Sequence, residues 1–226
     1  MALRTLNSQL STVNSLAPSR RCFVSSCHMA IFLIRHGETD CNAARIVQTP
    51  DVPLSARGLA QAEQLGGRLA GAGIAAILSS DLRRAVMTAE RLQASTRAPL
   101  ALDAGLQERN FGDVRGLPYA TLGVDILAPD YEPPGGERWA DFHARIDAAW
   151  ARIVATAAAT EGNLAVVTHG LVCHSLALRH LQLGPEAPLH WHNASLTVVE
   201  GRPPWAVHTL NCTAHLAGAA SASGGV

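Results

Sequence analysis

The chain contains no lysine. All eighteen basic residues are arginines, and eighteen aspartates and glutamates balance them. With no net charge, the field of the whole molecule favours neither nucleic acid nor an anionic membrane surface, so any anion binding must be local. The missing lysine and the heavy use of Ala and Gly fit a GC-rich coding sequence; they speak of genome rather than chemistry. There is no CxxC pair either. Cys22, Cys27, Cys41, Cys173 and Cys212 form an odd, scattered set that indicates neither a disulfide framework nor a zinc site and suits a reducing compartment. No apolar run approaches the roughly 20 residues that span a bilayer. The expectation is a soluble, cytoplasmic protein with no membrane, metal or nucleic-acid partner.

What is present is enough apolar residue, 48% of 226, to bury one sizeable core, and nothing in the length demands a second domain. Residues 1–28 differ in kind. Arg4, Arg20 and Arg21 stand among Ser, Thr and Asn, with no acid before Glu38, a composition resembling an organellar transit peptide. The plainer reading, adopted here, is that translation begins at Met29 of "MAIFLIRHG". The expected organisation is a leader over 1–28, a domain over 29–216 and a flexible tail over 217–226. A genuine transit peptide would place the protein in an organelle.

From Ile31 the chain alternates strands and helices. Ile31–Ile34 reads as a short strand, and "SARGLAQAEQLGGRLAGAG" as a helix with Ser55 as N-cap and Leu59, Ala62, Leu65 and Leu69 along one stripe. "IAAILSS" is the next strand, and "DLRRAVMTAERLQAS" a helix capped by Asp81 with Ala85, Ala89 and Leu92 inward. "APLAL" is strand-like, and a loop-rich stretch runs from Gly105 to Gly136. A helix then carries Trp139, Phe142, Ile146, Trp150 and Ile153, followed by the strand "NLAVVT", the helix "GLVCHSLALRHL" and two strands, "ASLTVVE" and "WAVHTL". This order predicts an α/β fold, a three-layer α/β/α sandwich with a mostly parallel sheet and ligands outside the carboxyl ends of its strands.

Three strand ends share a chemistry. The first runs into Arg35, His36 and Gly37, the second stops before Asp81, Arg83 and Arg84, and "NLAVVT" ends in Thr168, His169 and Gly170. Imidazoles and guanidinium forks on one rim can surround a tetrahedral anion with charge-assisted hydrogen bonds, and Gly37 and Gly170 let backbone approach closely. A strand-end histidine by itself is as often structural, so the joint pattern carries the reading. Gln48, Arg45 and Arg83 are as well explained by ordinary surface roles, and the alternating His190 and His192 of "HWHN" lack a third metal partner.

"LIRHGETDCN", "SSDLRRAVMTAE", "LQERNFGDVRG" and "VVTHG", in this order, resemble the histidine phosphatase superfamily, also called phosphoglycerate mutase-like. "PLSARGLAQA", "PPGGE" and "WHNASLTVV" sit where such proteins carry similar segments, so the resemblance covers about residues 30–216. It implies that His36 is a nucleophile forming a phosphohistidine, its tautomer fixed by a backbone carbonyl, and that Arg35, Arg84 and His169 hold the phosphoryl oxygens. It implies Glu108 as general acid and Asn42 as a phosphate contact; Glu137 is a rival acid in a similar loop, and Thr39, Gln48, Gly37 and Gly170 complete the expected substrate-binding positions. No cofactor is implied, and a homodimer is suggested. Two departures stand out: Thr49 replaces a glycine common in relatives, and the segment from Gly116 to Gly135 is shorter than the lid of the glycolytic mutases. "DILAPDYEPPGG" reads as an open, solvated loop. The expected function is a metal-independent phosphomonoesterase acting on a small phosphorylated metabolite. The alternatives are a phosphoglycerate mutase and a non-catalytic phospho-ligand sensor.

Overall fold

The computed structural model describes residues 29–183, 187, 188 and 190–217; the expected leader over 1–28, and the tail beyond Ala217, lie outside them. Six strands form one sheet: β1 (Ala30–Arg35), β2 (Ile74–Ser79), β3 (Leu100–Leu102), β4 (Asn163–Thr168), β5 (Leu196–Glu200) and β6 (Ala206–Cys212), in the order β3-β2-β4-β1-β5-β6. β3, β2, β4 and β1 pair in parallel, whereas β5 and β6 are antiparallel additions. The helices are α1 (Asp40–Ala43), α2 (Ala56–Leu69), α3 (Arg83–Thr96), α4 (Trp139–Ala158) and α5 (Gly170–Arg179).

Strand alternation divides the core into two layers. Phe32, Ile34, Ala165 and Val167 face one side, against Leu65 and Leu69 of α2 and Ala85, Ala89 and Leu92 of α3. Ile31, Leu33, Leu164 and Val166 face the other, against Phe142, Ile146 and Ile153 of α4 and Val172 and Leu176 of α5. Both faces of the parallel strands are therefore covered, which explains their unbroken apolar runs. No helix of the described residues is long and apolar enough to cross a membrane.

The local readings need three corrections. α2 stops at Leu69, and Gly73, at φ +64°, turns the chain into β2. Leu59 is only half-buried, while Gln61, Ala62, Leu65 and Gly66 form the inward stripe. The reason is close helix contact: a Cβ on Gly66 would lie 2.5 Å from Ser95 Oγ of α3. Ser55 does cap α2, accepting from Gly58 N at 3.0 Å. Asp81, by contrast, does not cap α3, whose N-cap is Leu82 without a side-chain bond. Asp81 instead accepts from Gln107 Nε2 at 2.7 Å, and the Ser80 hydroxyl takes the Leu82 N–H.

The segment expected to be open and solvated is anchored. Ile126 is 2% exposed and packs with Val47, Phe111, Tyr119, Leu127 and Tyr131 in a small core of its own. Arg109, 1% exposed, donates to the carbonyls of Glu137, Ile126 and Tyr131 and lies 3.8 Å over the Trp139 ring. The three carbonyls lie between residues 126 and 137, so one guanidinium ties the segment down at both ends.

Candidate active site

β1 lies between β4 and β5. The chain leaves β1 toward β2 on one side, and leaves β4 toward β5 on the other. The crevice between β1 and β4 is therefore a topological switch point, and His36 and His169 follow those two strands directly. Their rings are 5.2 Å apart. β2, beside β4, brings Ser80 and Arg84 to the same rim.

His36 is 2% exposed, not solvent-facing as a strand-end position suggests. Its Nδ1 lies 2.6 Å from the Gly37 carbonyl, which can only accept, so Nδ1 carries the hydrogen and Nε2 keeps its lone pair. Burial, then Arg84 and Arg35, push the imidazole well below its ordinary pKa and keep it neutral. His169, fully buried, is pushed down by the same causes. Its Nε2 is 2.8 Å from Ser80 Oγ, while its Nδ1 is buried without a partner.

The arginines are unusually dry. Arg35 and Arg84 are 3% and 2% exposed. Arg35 donates to the Trp191 carbonyl and Arg84 to the Thr49 carbonyl at 3.1 Å, yet the Nε of each is buried and unpaired. Burial lowers both, Arg84 to about 10, and a guanidinium stays protonated in proteins at neutral pH. Buried donors without acceptors are costly. An oxyanion has the charge and the acceptors to satisfy them.

Glu108 projects into the same cavity from the loop after β3. Its carboxylate accepts from Arg109 N at 3.0 Å and Leu171 N at 3.2 Å, the latter at the start of α5. Burial raises its pKa; the two backbone donors and then Arg84 and Arg35 oppose the rise. The rival Glu137 is occupied by the Arg145 guanidinium, at 2.7 and 2.9 Å, and by Asn110 N. Arg109 meets Glu108 through its backbone N–H, not its side chain.

The remaining expected positions divide. Gln48 and Gly170 line the cavity. Thr39 does not; fully buried, it caps α1, and its hydroxyl lies 3.0 Å from Gln48 Oε1 and 3.1 Å from Asn42 Oδ1. Asn42 also accepts from Asn193, and its Nδ2 is another buried donor without a partner. Gly37 packs against protein, not ligand: a Cβ there would come 2.5 Å from the Gly58 carbonyl at the start of α2. His190 and His192 are exposed in a loop, not a strand, with Trp191 buried between them. Sequence reasoning missed Ser80, Trp191, Asn193, Arg115 and Tyr119. The quoted "SSD" and "WHNAS" segments held three of them, but nothing marks a backbone carbonyl as an arginine anchor.

The cavity offers about 60 Å³ of room to water-sized groups and about 750 Å³ when its open mouth is included, enough to admit a small ligand. Burial drives the Tyr119 hydroxyl on its wall up to about 12, which keeps it a donor.

Proteins named as phosphatases and as phosphoglycerate mutases are similar to this chain in sequence and shape. The family model described as histidine phosphatase superfamily (branch 1) matches residues 31–213. A Proteus mirabilis protein named "Probable phosphoglycerate mutase GpmB" is 31% identical over 206 residues, covering 83% of this chain and 95% of that one. A mycobacterial glucosyl-3-phosphoglycerate phosphatase, solved with VO3, is 29% identical with a TM-score of 0.72, covering 81% of this chain and 99% of that one. A phosphoglycerate mutase from Bacillus anthracis is 25% identical with a TM-score of 0.71, covering 84% and 96%. The likeness thus extends over nearly the whole described sheet and its helices, and the chain belongs to the histidine phosphatase superfamily (branch 1).

Proposed function

We propose that the protein is a metal-independent phosphomonoesterase that hydrolyses a small phosphorylated metabolite through a phosphohistidine. The observation that carries this reading is the neutral His36, its Nδ1 pinned to the Gly37 carbonyl and its Nε2 free, in one cavity with Glu108 and two buried guanidiniums. Nε2 attacks phosphorus, the ester P–O bond breaks, and the proton on Glu108 passes to the departing alkoxide. Arg35, Arg84, His169 and Asn42 hold the phosphoryl oxygens as charge grows on them. Glu108, now ionised, takes a proton from water whose oxygen attacks phosphorus; the new P–O bond forms as the P–N bond breaks, inorganic phosphate leaves and His36 returns neutral.

The phosphatase named among the solved relatives supports hydrolysis. The mutase reading has its own support in the names of the curated relatives and in the anchored 116–135 segment, which covers part of the rim. A mutase must keep water from its phosphoenzyme between transfers. The deciding assay follows p-nitrophenyl phosphate in EDTA, then 3-phosphoglycerate with and without 2,3-bisphosphoglycerate. We expect EDTA-resistant release of inorganic phosphate. Isomerisation to 2-phosphoglycerate outrunning phosphate release would promote the mutase; binding without turnover of any ester would leave a sensor.

Ser80 has a testable part in this scheme. With its proton given to His169 Nε2, the ring hydrogen sits on Nδ1, the buried nitrogen without a partner. Ser80→Ala is expected to cost about tenfold in kcat/KM, the range of one neutral hydrogen bond, with Ser80→Thr restoring most of it. Nitrogen NMR shifts of His169 should report a tautomer change in the alanine variant. Unchanged shifts and unchanged rates would remove Ser80 from the mechanism.

A further inference from the structure

Four arginines line the cavity, and three of them are spoken for. Arg35 and Arg84 are anchored on carbonyls beside His36, and Arg109 spends its guanidinium on three carbonyls of the covering loop. Arg115 is different. It stands on the cavity wall, half-buried, and its side chain makes no hydrogen bond, ion pair or ring contact with any described residue. The carboxylate whose charge acts on it is Glu137, already held by two nitrogens of Arg145. It is also close enough to Arg84 for the two charges to oppose each other. A lone half-buried guanidinium beside another cation is unfavourable unless an anion comes to it.

Charge balance says which anion. A phosphate monoester dianion is matched by Arg35 and Arg84, while His36 and His169 are neutral and a proton-donating Glu108 carries no charge. Arg115 is then surplus to the phosphoryl group. We infer that Arg115 is a specificity-determining residue that binds a second anionic group on the substrate, a carboxylate or a second phosphate carried on the alcohol. The preferred substrates are then phosphate esters of anionic alcohols rather than of neutral sugars or aryl alcohols. This rests on the phosphomonoesterase reading for turnover, but not for binding.

Two ester pairs test it. 3-Phosphoglycerate and glycerol 3-phosphate differ only by a carboxylate in place of a hydroxymethyl group; fructose 1,6-bisphosphate and fructose 1-phosphate differ by the second phosphate. The wild type is expected to favour the anionic member of at least one pair, and which pair names the source. Arg115→Met should reduce that preference by about 10- to 100-fold in kcat/KM, the reach of one charge-assisted bidentate contact. The change should lie mainly in KM, because such a contact holds ground state and transition state alike. Equal use of both members by wild type, or a preference that survives Arg115→Met, overturns the inference. If no ester is turned over, the phosphatase reading has failed on its own. Thermal upshifts with the same four compounds then decide: a larger shift with the anionic member, lost in Arg115→Met, upholds Arg115, and equal shifts overturn it.

Discussion

Replacement of His36 by alanine is expected to reduce phosphate release by on the order of 10⁴-fold or more, because the variant has no nucleophile to divide the reaction into two steps. Acid-labile phosphate labelling of the protein should vanish with it. His36 is 2% exposed, so alanine also leaves a void, and lost activity alone would not distinguish chemistry from packing. His36→Asn separates the two. Its amide can still donate to the Gly37 carbonyl, as Nδ1 does at 2.6 Å, but it offers no nucleophilic nitrogen. A folded asparagine variant with near wild-type turnover would end the phosphohistidine mechanism. The same variant carries a stability signature. The folded imidazole binds its proton well below 6.5, whereas the unfolded one binds near that value. The unfolded state therefore takes up more protons as pH falls under about 6.5, and stability is lost in that direction. His36→Asn should show a shallower fall of Tm with acid than wild type. An identical slope would mean that His36 is not held neutral.

The sheet was legible because its strands are buried on both faces and its helices are amphipathic, so each element announces itself locally. His36, Arg84 and His169 were legible for a related reason: parallel strands place their carboxyl ends on one rim whatever their order. What failed was contact between segments distant in sequence. Val47, Phe111 and Ile126 pack together without any period that marks them, so "DILAPDYEPPGG" read as solvated from its prolines and acids. Asp81 had the composition of a cap, but Ser80 supplied the hydrogen bond one residue earlier. Gly37 looked like room for a ligand and proved to be room for the Gly58 backbone. Arg115 carries no local mark in the sequence, because what sets it apart is a place on the cavity wall that only the fold creates.

Glu108→Gln is expected to lower turnover of alkyl phosphates by on the order of 10² to 10⁴-fold, the usual contribution of a positioned general acid. Glutamine keeps the length of the side chain and an oxygen able to accept from Arg109 N or Leu171 N, so the loop and the start of α5 should stay in place. What it lacks is a transferable proton. Dependence on the leaving group is therefore the diagnostic: an aryl alkoxide departs without protonation, so p-nitrophenyl phosphate should lose least in the phosphorylation step, and glycerol 3-phosphate most. The pH profile should change in step. Burial raises the Glu108 pKa above the ordinary carboxylate value, so the protonated acid is lost as pH climbs through that raised value, and alkyl ester turnover in wild type should fall on the basic side. That basic limb should disappear in Glu108→Gln. Glu137→Gln makes the opposing case, because Glu137 is bound by Arg145 and by Asn110 N and its loss should loosen the covering loop without any leaving-group dependence. A leaving-group pattern that follows Glu137, and not Glu108, would transfer the role of acid to Glu137, and would require Arg145 to release it before each turnover.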